Sequence, residues 1–201
     1  TLGVRSGRVK FSSDDHYIVP GAEPGDPPLN PDDSGALDFR FTNPVAALQW
    51  RATPALNVYL GAGRGFESPT FNELAYPPQP ADATEPVTGF NGDLKAQTSR
   101  QWEIGAKWRA PTLGLALDAA LFDARTDDEI GVASSSGGRT TFRNVGRTKR
   151  QGAEFDLRWR VAPAWRTRAT LTWLDATYLD GLLVPAGNRI AGTQRASGYA
   201  E

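Results

Sequence analysis

One pattern constrains this chain more than any other: a two-residue alternation of apolar and polar side chains in six segments, with every charge on one side. Between 154 and 161, Phe155, Leu157, Trp159 and Val161 alternate with Glu154, Asp156, Arg158 and Arg160. Between 101 and 108, Trp102, Ile104, Ala106 and Trp108 oppose Gln101, Glu103, Gly105 and Lys107. Leu113, Leu115, Leu117, Ala119 and Leu121 oppose Gly114, Ala116, Asp118 and Ala120, and Thr167, Ala169, Leu171 and Trp173 oppose Arg166, Arg168, Thr170 and Thr172. Two further segments present Ala46, Leu48, Trp50 and Ala52, then Leu56, Val58, Leu60 and Ala62. Successive strand residues point to opposite faces, whereas a helix repeats every ~3.6 residues, so these segments are strands. Glycine (21 residues) and aromatics (9 Phe, 6 Trp, 5 Tyr) agree with an all-β reading.

A soluble sandwich and a membrane barrel both alternate in this way. Three features favour the barrel. Connections alternate in length: Thr53-Pro54-Ala55, Ala110-Pro111-Thr112 and Ala162-Pro163-Ala164 are tight, while links such as 67–97 are long. Outer-membrane barrels have short periplasmic turns and longer extracellular loops. The tight turns also share a signature. Trp50-Arg51, Trp108-Arg109 and Trp159-Arg160 precede Pro54, Pro111 and Pro163, prolines 57 and 52 residues apart. A Trp on the apolar face before each turn is where an interfacial aromatic belt sits; the bland reading is Trp filling a sandwich core. Finally, 113–133 and 139–161 read as two nearly continuous strands about Ser134–Gly138, longer than the ~9–11 residues a membrane needs. Their excess at 123–150 is polar on both faces, as in a hairpin that projects into water.

Composition removes other classes. The chain has 201 residues, no Cys, no Met, one His and a net charge of -1. A disulfide scaffold, a thiol nucleophile and a multi-histidine metal site are excluded. Near-neutral charge gives no nucleic-acid footprint. The longest uncharged run, Ala52 to Gly63, has 12 residues, too short for a transmembrane helix. No basic, apolar leader opens the chain, and it starts at Thr1; the expectation is a cut piece of something longer.

Several runs resemble the TonB-dependent outer-membrane receptors. Asn57-Val-Tyr-Leu-Gly-Ala-Gly-Arg-Gly-Phe-Glu-Ser-Pro-Thr-Phe-Asn-Glu-Leu74 is similar to a strand and loop entrance of that family. Asp93-Leu-Lys-Ala-Gln-Thr-Ser-Arg-Gln-Trp-Glu-Ile-Gly105 resembles its "L-K-P-E-x-S-x-x-x-E-x-G" strand, with Ala96 and Gln97 for Pro-Glu. Thr126-Asp-Asp-Glu-Ile130 and Asn144 to Glu154 resemble the adjoining hairpin. Pro185 to Thr193 resembles "P-x-N-R-I-P-G", with an extra residue before Asn188 and Ala191 for Pro. The resemblance implies that 1–201 is a partial β-barrel domain, without plug domain or signal peptide. It implies seven or eight antiparallel strands of a ~22-stranded plugged barrel. The strands are expected near 1–12, 37–52, 56–66, 97–109, 113–133, 139–161 and 165–179, with another starting near 195.

Candidate residues are few. Gly61, Gly63 and Gly65 share the polar-face parity and leave one side bare, against which the resemblance would place a plug. Gly146 and Gly152 read as bends or bulges. Arg64 is a candidate contact for an anionic ligand, its alternative being a pair with a plug or barrel carboxylate. Arg139, Arg143, Arg147, Lys149 and Arg150 form a basic stretch that meets ligand or lipopolysaccharide phosphates, or braces the wall by salt bridges. Arg139 and Arg143 join Arg64 as ligand-binding candidates; Trp50, Trp108 and Trp159 are the membrane-interface aromatics. Seven acids between Lys10 and Arg40 match no calcium loop and read as a solvated loop. Pro69, Pro77, Pro78, Pro80 and Pro86 are expected to keep 67–97 extended. His16 reads as solvated.

The expected function is therefore active import of a scarce nutrient, by resemblance a ferric siderophore complex, across a Gram-negative outer membrane. The resemblance implies partnership with the TonB complex through a plug, with the small ligand, and with outer-membrane lipid and lipopolysaccharide. It implies no cofactor and no nucleic acid. A passive porin-like or structural barrel is the alternative, then a soluble β-sandwich binding module. An enzyme is disfavoured, since one His in an acidic loop assembles no catalytic constellation.

Overall fold

The computed structural model describes residues 1–26, 28–30, 32–80, 87, 89–180 and 183–201. Its strands are β1 (Leu2–Ser13), β2 (Gly35–Arg51), β3 (Leu56–Glu67), β4 (Gln97–Ala110), β5 (Leu115–Asp127), β6 (Ile130–Ser136), β7 (Arg139–Asn144), β8 (Thr148–Ala162), β9 (Trp165–Tyr178) and β10 (Ala196–Ala200). Eight form one antiparallel sheet in the order β1-β2-β3-β4-β5-β8-β9-β10, and β6 and β7 form a separate two-stranded sheet. The chain is thus an up-and-down meander with one hairpin inserted between β5 and β8. The expected transmembrane-type wall is present; the described residues do not close it into a ring.

The tall hairpin departs from the expected pair of continuous strands. β5 stops at Asp127, and Asp128 takes the left-handed conformation (φ 54). On the return, Gly146 is left-handed as well (φ 97). The two reversals face each other, and backbone N–H groups of Glu129 and Val145 donate to Gly146 and Glu129 carbonyls across the break. The hairpin is a second body set on the wall. Gly146 therefore bends the chain as expected, whereas Gly152 lies in regular pairing with Phe122 and Leu174. A Cβ there would run into the Trp173 carbonyl and meet the Phe122 ring at 2.7 Å, so Gly152 permits close approach instead.

The 67–97 link is also not simply extended. Thr70 caps the one-turn helix α1 (Phe71–Leu74) through a capping box: its hydroxyl accepts from Glu73 N–H while the Glu73 carboxylate accepts from Thr70 N–H. Pro69, Pro77, Pro78 and Pro80 flank the turn; Pro86 lies outside the described residues.

A single-layer sheet has no interior, and burial is accordingly displaced. Pro69, Leu74, Leu94, Asn91, Thr141, Val145 and Thr148 are buried, all in the 67–97 link or around the hairpin foot, joined by Ala176 near the end of β9. The tight connections hold no comparable cluster. At one of them, Pro111–Leu113 is a 3-10 turn ended by left-handed Gly114 (φ 62), against whose position the Arg160 carbonyl lies too close for any side chain.

Candidate functional site

The outward face is built by register. Leu48 faces Leu60, which faces Ile104, then Leu121, Ala153 and Trp173 across six strands. Leu48 is 69% exposed, Leu121 54% and Trp173 48%. An apolar face of this extent is unstable against water and suited to hydrocarbon.

The three turn-proximal Trp residues form a staircase on that face. Trp50 faces Val58, and Val58 faces Ala106, two residues from Trp108. Trp108 faces Leu117, and Leu117 faces Leu157, two residues from Trp159. Each Trp is thus displaced by two residues for every two strands crossed. With ~3.3 Å per residue and ~4.8 Å between strands, the indoles lie level when the strands tilt by roughly 35°. That is the inclination of outer-membrane barrels. The Trp159 indole N–H donates to the Leu113 carbonyl at 3.2 Å, tying belt to turn.

The inward face is ionic. Arg109 reaches both carboxylate oxygens of Asp118, at 2.5 and 2.9 Å. Asp156 accepts from Arg158 at 2.7 Å and from Arg168 at 2.8 Å. The Tyr59 hydroxyl donates to Glu103 at 2.5 Å, and Lys107 sits over the Tyr59 ring at 5.6 Å. The glycine trio is less uniform than its parity suggested. A Cβ on Gly61 would meet nothing within 4 Å, so the wall is bare there, while one on Gly65 would run into the Ser99 hydroxyl.

Above the wall, the hairpin and the 67–97 link form one platform. The Asn91 side-chain amide donates to the Phe142 carbonyl at 2.9 Å, and Asn144 exchanges hydrogen bonds with the Lys95 backbone at 2.9 and 3.0 Å. At the hairpin foot, Arg150 donates to both Glu129 oxygens, at 2.6 and 2.8 Å, and the Thr148 hydroxyl donates to the same carboxylate. Burial opposes ionisation of Glu129, yet these donors outweigh it and hold its carboxyl below the usual range. Asp180 is likewise held low by the Arg147 guanidinium and backbone N–H.

The candidate residues fall in different places. Arg64 has the parity of Leu60 and Ala62 and therefore stands on the outward face. Arg139 and Arg143 are exposed on β7, with the Arg139 guanidinium 4.7 Å from the Tyr76 ring centre. The basic stretch is not one patch: Arg147 pairs with Asp180 at 2.7 Å, Arg150 with Glu129, and Lys149 approaches Asp123 at 3.4 Å. In the acidic loop, Asp15 accepts from Tyr17 N–H, Asp32 from Ser34 N–H and Asp26 from Glu23 N–H, so these acids shape the loop. His16 lies 3.6 Å from Asp14 with both side chains in solvent. Asn91 and the Glu129 latch escaped the sequence reading, because their partners are backbone carbonyls or residues fixed only by the hairpin break.

Residues 1–200 match the family described as "TonB dependent receptor-like, beta-barrel". The catecholate siderophore receptor Fiu of Escherichia coli K12 is 29% identical over 146 residues, covering 73% of this chain and 18% of that protein. The pesticin receptor of Yersinia enterocolitica is 28% identical over 191 residues, covering 94% and 25%. This chain thus spans about a fifth to a quarter of the curated relatives' length. In three dimensions it resembles the ferric yersiniabactin uptake receptor FyuA of Yersinia pestis, with TM-score 0.71, 20% identity, and 99% and 27% coverage. The copper transporter OprC is similar in fold as well, with TM-score 0.69, 15% identity, and 88% and 26% coverage. These relatives are transport receptors of the Gram-negative outer membrane. A charge-free apolar band across the outward face, a level row of Trp, an ionic inward face and the family match over residues 1–200 agree, and the chain belongs to the TonB-dependent receptor β-barrel family.

Proposed function

We propose that this chain is wall and extracellular platform of an outer-membrane receptor that imports a ferric siderophore complex, energised through TonB. The observation that carries the reading is the match of residues 1–200 to the receptor barrel family, with siderophore receptors among the relatives. On this reading the labour divides by face. Hydrocarbon meets the outward row, and a plug domain meets the ionic inward wall, where Asp118 and Asp156 are already held by arginines. The ligand meets the platform, where Arg139 and Arg143 offer cations to an anionic chelate. No bond is made or broken by these residues. Transport requires that the ligand bind the closed and the plug-displaced states with different affinity, and the energy for that difference comes from outside the wall.

The test is uptake of radiolabelled iron, supplied as purified ferric siderophores of catecholate and other classes, by cells expressing the intact receptor. Saturable accumulation that vanishes without TonB supports the proposal. Passage that grows linearly with concentration and ignores TonB overturns it in favour of a porin-like barrel.

A further inference from the structure

Ahead of each tight turn the chain repeats Trp-Arg, and the belt accounts for the Trp alone. Trp50-Arg51, Trp108-Arg109 and Trp159-Arg160 each set an indole outward and, one residue later, a guanidinium inward. Across the last of these turns, Arg166 and Arg168 of β9 share the inward parity: Arg160 faces Arg166, and Arg158 faces Arg168. Like charges directly opposite on neighbouring strands repel. Six arginines are thus gathered on the inward face at the level of the belt.

The acids there hold only half of them. Asp118 takes Arg109 at 2.5 Å, with Arg158 3.6 Å away, and Asp156 takes Arg158 at 2.7 Å and Arg168 at 2.8 Å. Arg51, Arg160 and Arg166 are exposed, and among the described residues none of them has an ion-pair partner. Arg109, Arg158, Arg160, Arg166 and Arg168 line one hollow of about 580 Å³ at the tight-turn end, where Glu201 is the single acid among the lining residues. Higher on the same face the sign changes. Glu103 accepts from the Tyr59 hydroxyl and Glu154 faces Ala120, and neither is ion-paired among the described residues.

Short connections of outer-membrane barrels lie on the periplasmic side. The arginines therefore stand at the periplasmic mouth of the wall, below an acidic stretch. Permanent ion pairs brace Arg109, Arg158 and Arg168 from within the wall, whereas the other three keep their full charge toward the lumen. Clustered charge of one sign in a cleft raises the local concentration of the opposite ion.

We propose that Arg51, Arg160 and Arg166, beside the braced Arg109, Arg158 and Arg168, form an exit site that binds the anionic cargo as it leaves the lumen. The site attracts an anion that has passed Glu103 and Glu154 toward the mouth, while the energy of transport still comes from outside the wall. It rests on the import reading for the identity of the cargo, not for the binding of anions.

The experiment sets the intact receptor in a planar lipid bilayer, opens the lumen with urea, and reads the reversal potential in a potassium chloride gradient. Citrate, a small carboxylate trianion, is then added on the tight-turn side. The triple variant Arg51→Gln, Arg160→Gln, Arg166→Gln strands no carboxylate, and heat-modifiable migration checks its fold. It is expected to lower the chloride-to-potassium permeability ratio at least about twofold, and to lose the block of the current that millimolar citrate produces in the unaltered receptor. Lysine at the same three positions is expected to keep both. An unchanged ratio and an unchanged citrate block in the Gln variant overturn the proposal. Equal loss in the Lys variant means that shape and not charge is read, and overturns it as well. Opening of the Gln variant without urea makes the girdle a clamp on the plug and overturns the cargo assignment. No iron enters these measurements, so absence of TonB-dependent uptake sinks the import reading separately.

Discussion

The Arg150 guanidinium grips both carboxylate oxygens of Glu129, at 2.6 and 2.8 Å, across the foot of the β6–β7 hairpin. Glu129 lies between left-handed Asp128 and the start of β6, so this pair fixes how the hairpin leaves the wall. Glu129→Gln is expected to loosen the hairpin by ~1–3 kcal/mol, since it leaves Arg150 half-covered without its counter-charge. The sign of the pH dependence follows from a carboxyl held low. The latch is complete above the ordinary carboxylate range, near ~4.3, and is lost as pH falls through the lower folded value. A spin label at Ser135→Cys in the intact receptor reads this: motion constant from neutral pH to about pH 5, rising only in stronger acid, and already raised at neutral pH in Glu129→Gln.

Asn91 does for the 67–97 link what Glu129 does for the hairpin. It is 3% exposed, and its amide donates to the Phe142 carbonyl. Asn91→Ala leaves that carbonyl without its partner and is expected to cost ~1–3 kcal/mol locally. Hydrogen exchange of the intact receptor should show faster exchange in residues 70–76 and 141–145, with the amides of β4 and β5 unchanged. If the platform binds the ferric chelate, affinity falls with it while the folded wall persists.

The wall is legible in the sequence because each strand carries its own parity, and parity is local. The sequence places Trp50, Trp108 and Trp159 just before three tight turns, while their two-residue stagger appears only once the ladders are known. The break into a separate hairpin is hidden in sequence because 123–150 is polar on both faces, which erases the alternation that marks strand limits elsewhere. Asp128 gave no warning, since an Asp in the left-handed region looks like any other Asp in sequence. The capping box at Thr70 and Glu73 was legible in principle as a Thr-x-x-Glu spacing. The juxtaposition of Arg64, Arg100, Arg125 and Lys149 was not: they have no relation in sequence and become neighbours only through three registers.

Gly152 and Gly61 separate tight packing from open wall on the same inward face. At Gly152 a Cβ would meet a backbone carbonyl of β9 and the Phe122 ring, neither able to yield without moving strand or side chain. Gly152→Ala is expected to cost ~1–3 kcal/mol through overpacking. Gly61→Ala, with nothing within 4 Å, is expected to stay within ~0.5 kcal/mol. Denaturant titration of the receptor refolded in lipid vesicles distinguishes the two, and equal midpoints would overturn the contrast.

The orientation of the sheet makes the sharpest demand, because two adjacent residues of β5 should respond very unequally to one substitution. Leu121 is 54% exposed on the outward row between Ile104 and Ala153, four residues along β5 from Leu117, which faces Trp108. Arginine there must enter hydrocarbon, and Leu121→Arg is expected to cost ~2–4 kcal/mol, the midplane value for barrels. Ala120 faces Gly105 and Glu154 on the inward side. Arg at 120 reaches an aqueous, carboxylate-bearing wall, so Ala120→Arg is expected to change stability by less than ~1 kcal/mol. Equilibrium unfolding in vesicles measures both. A larger cost at 120 than at 121 would mean that the faces are assigned the wrong way round, and with them the row of Trp50, Trp108 and Trp159.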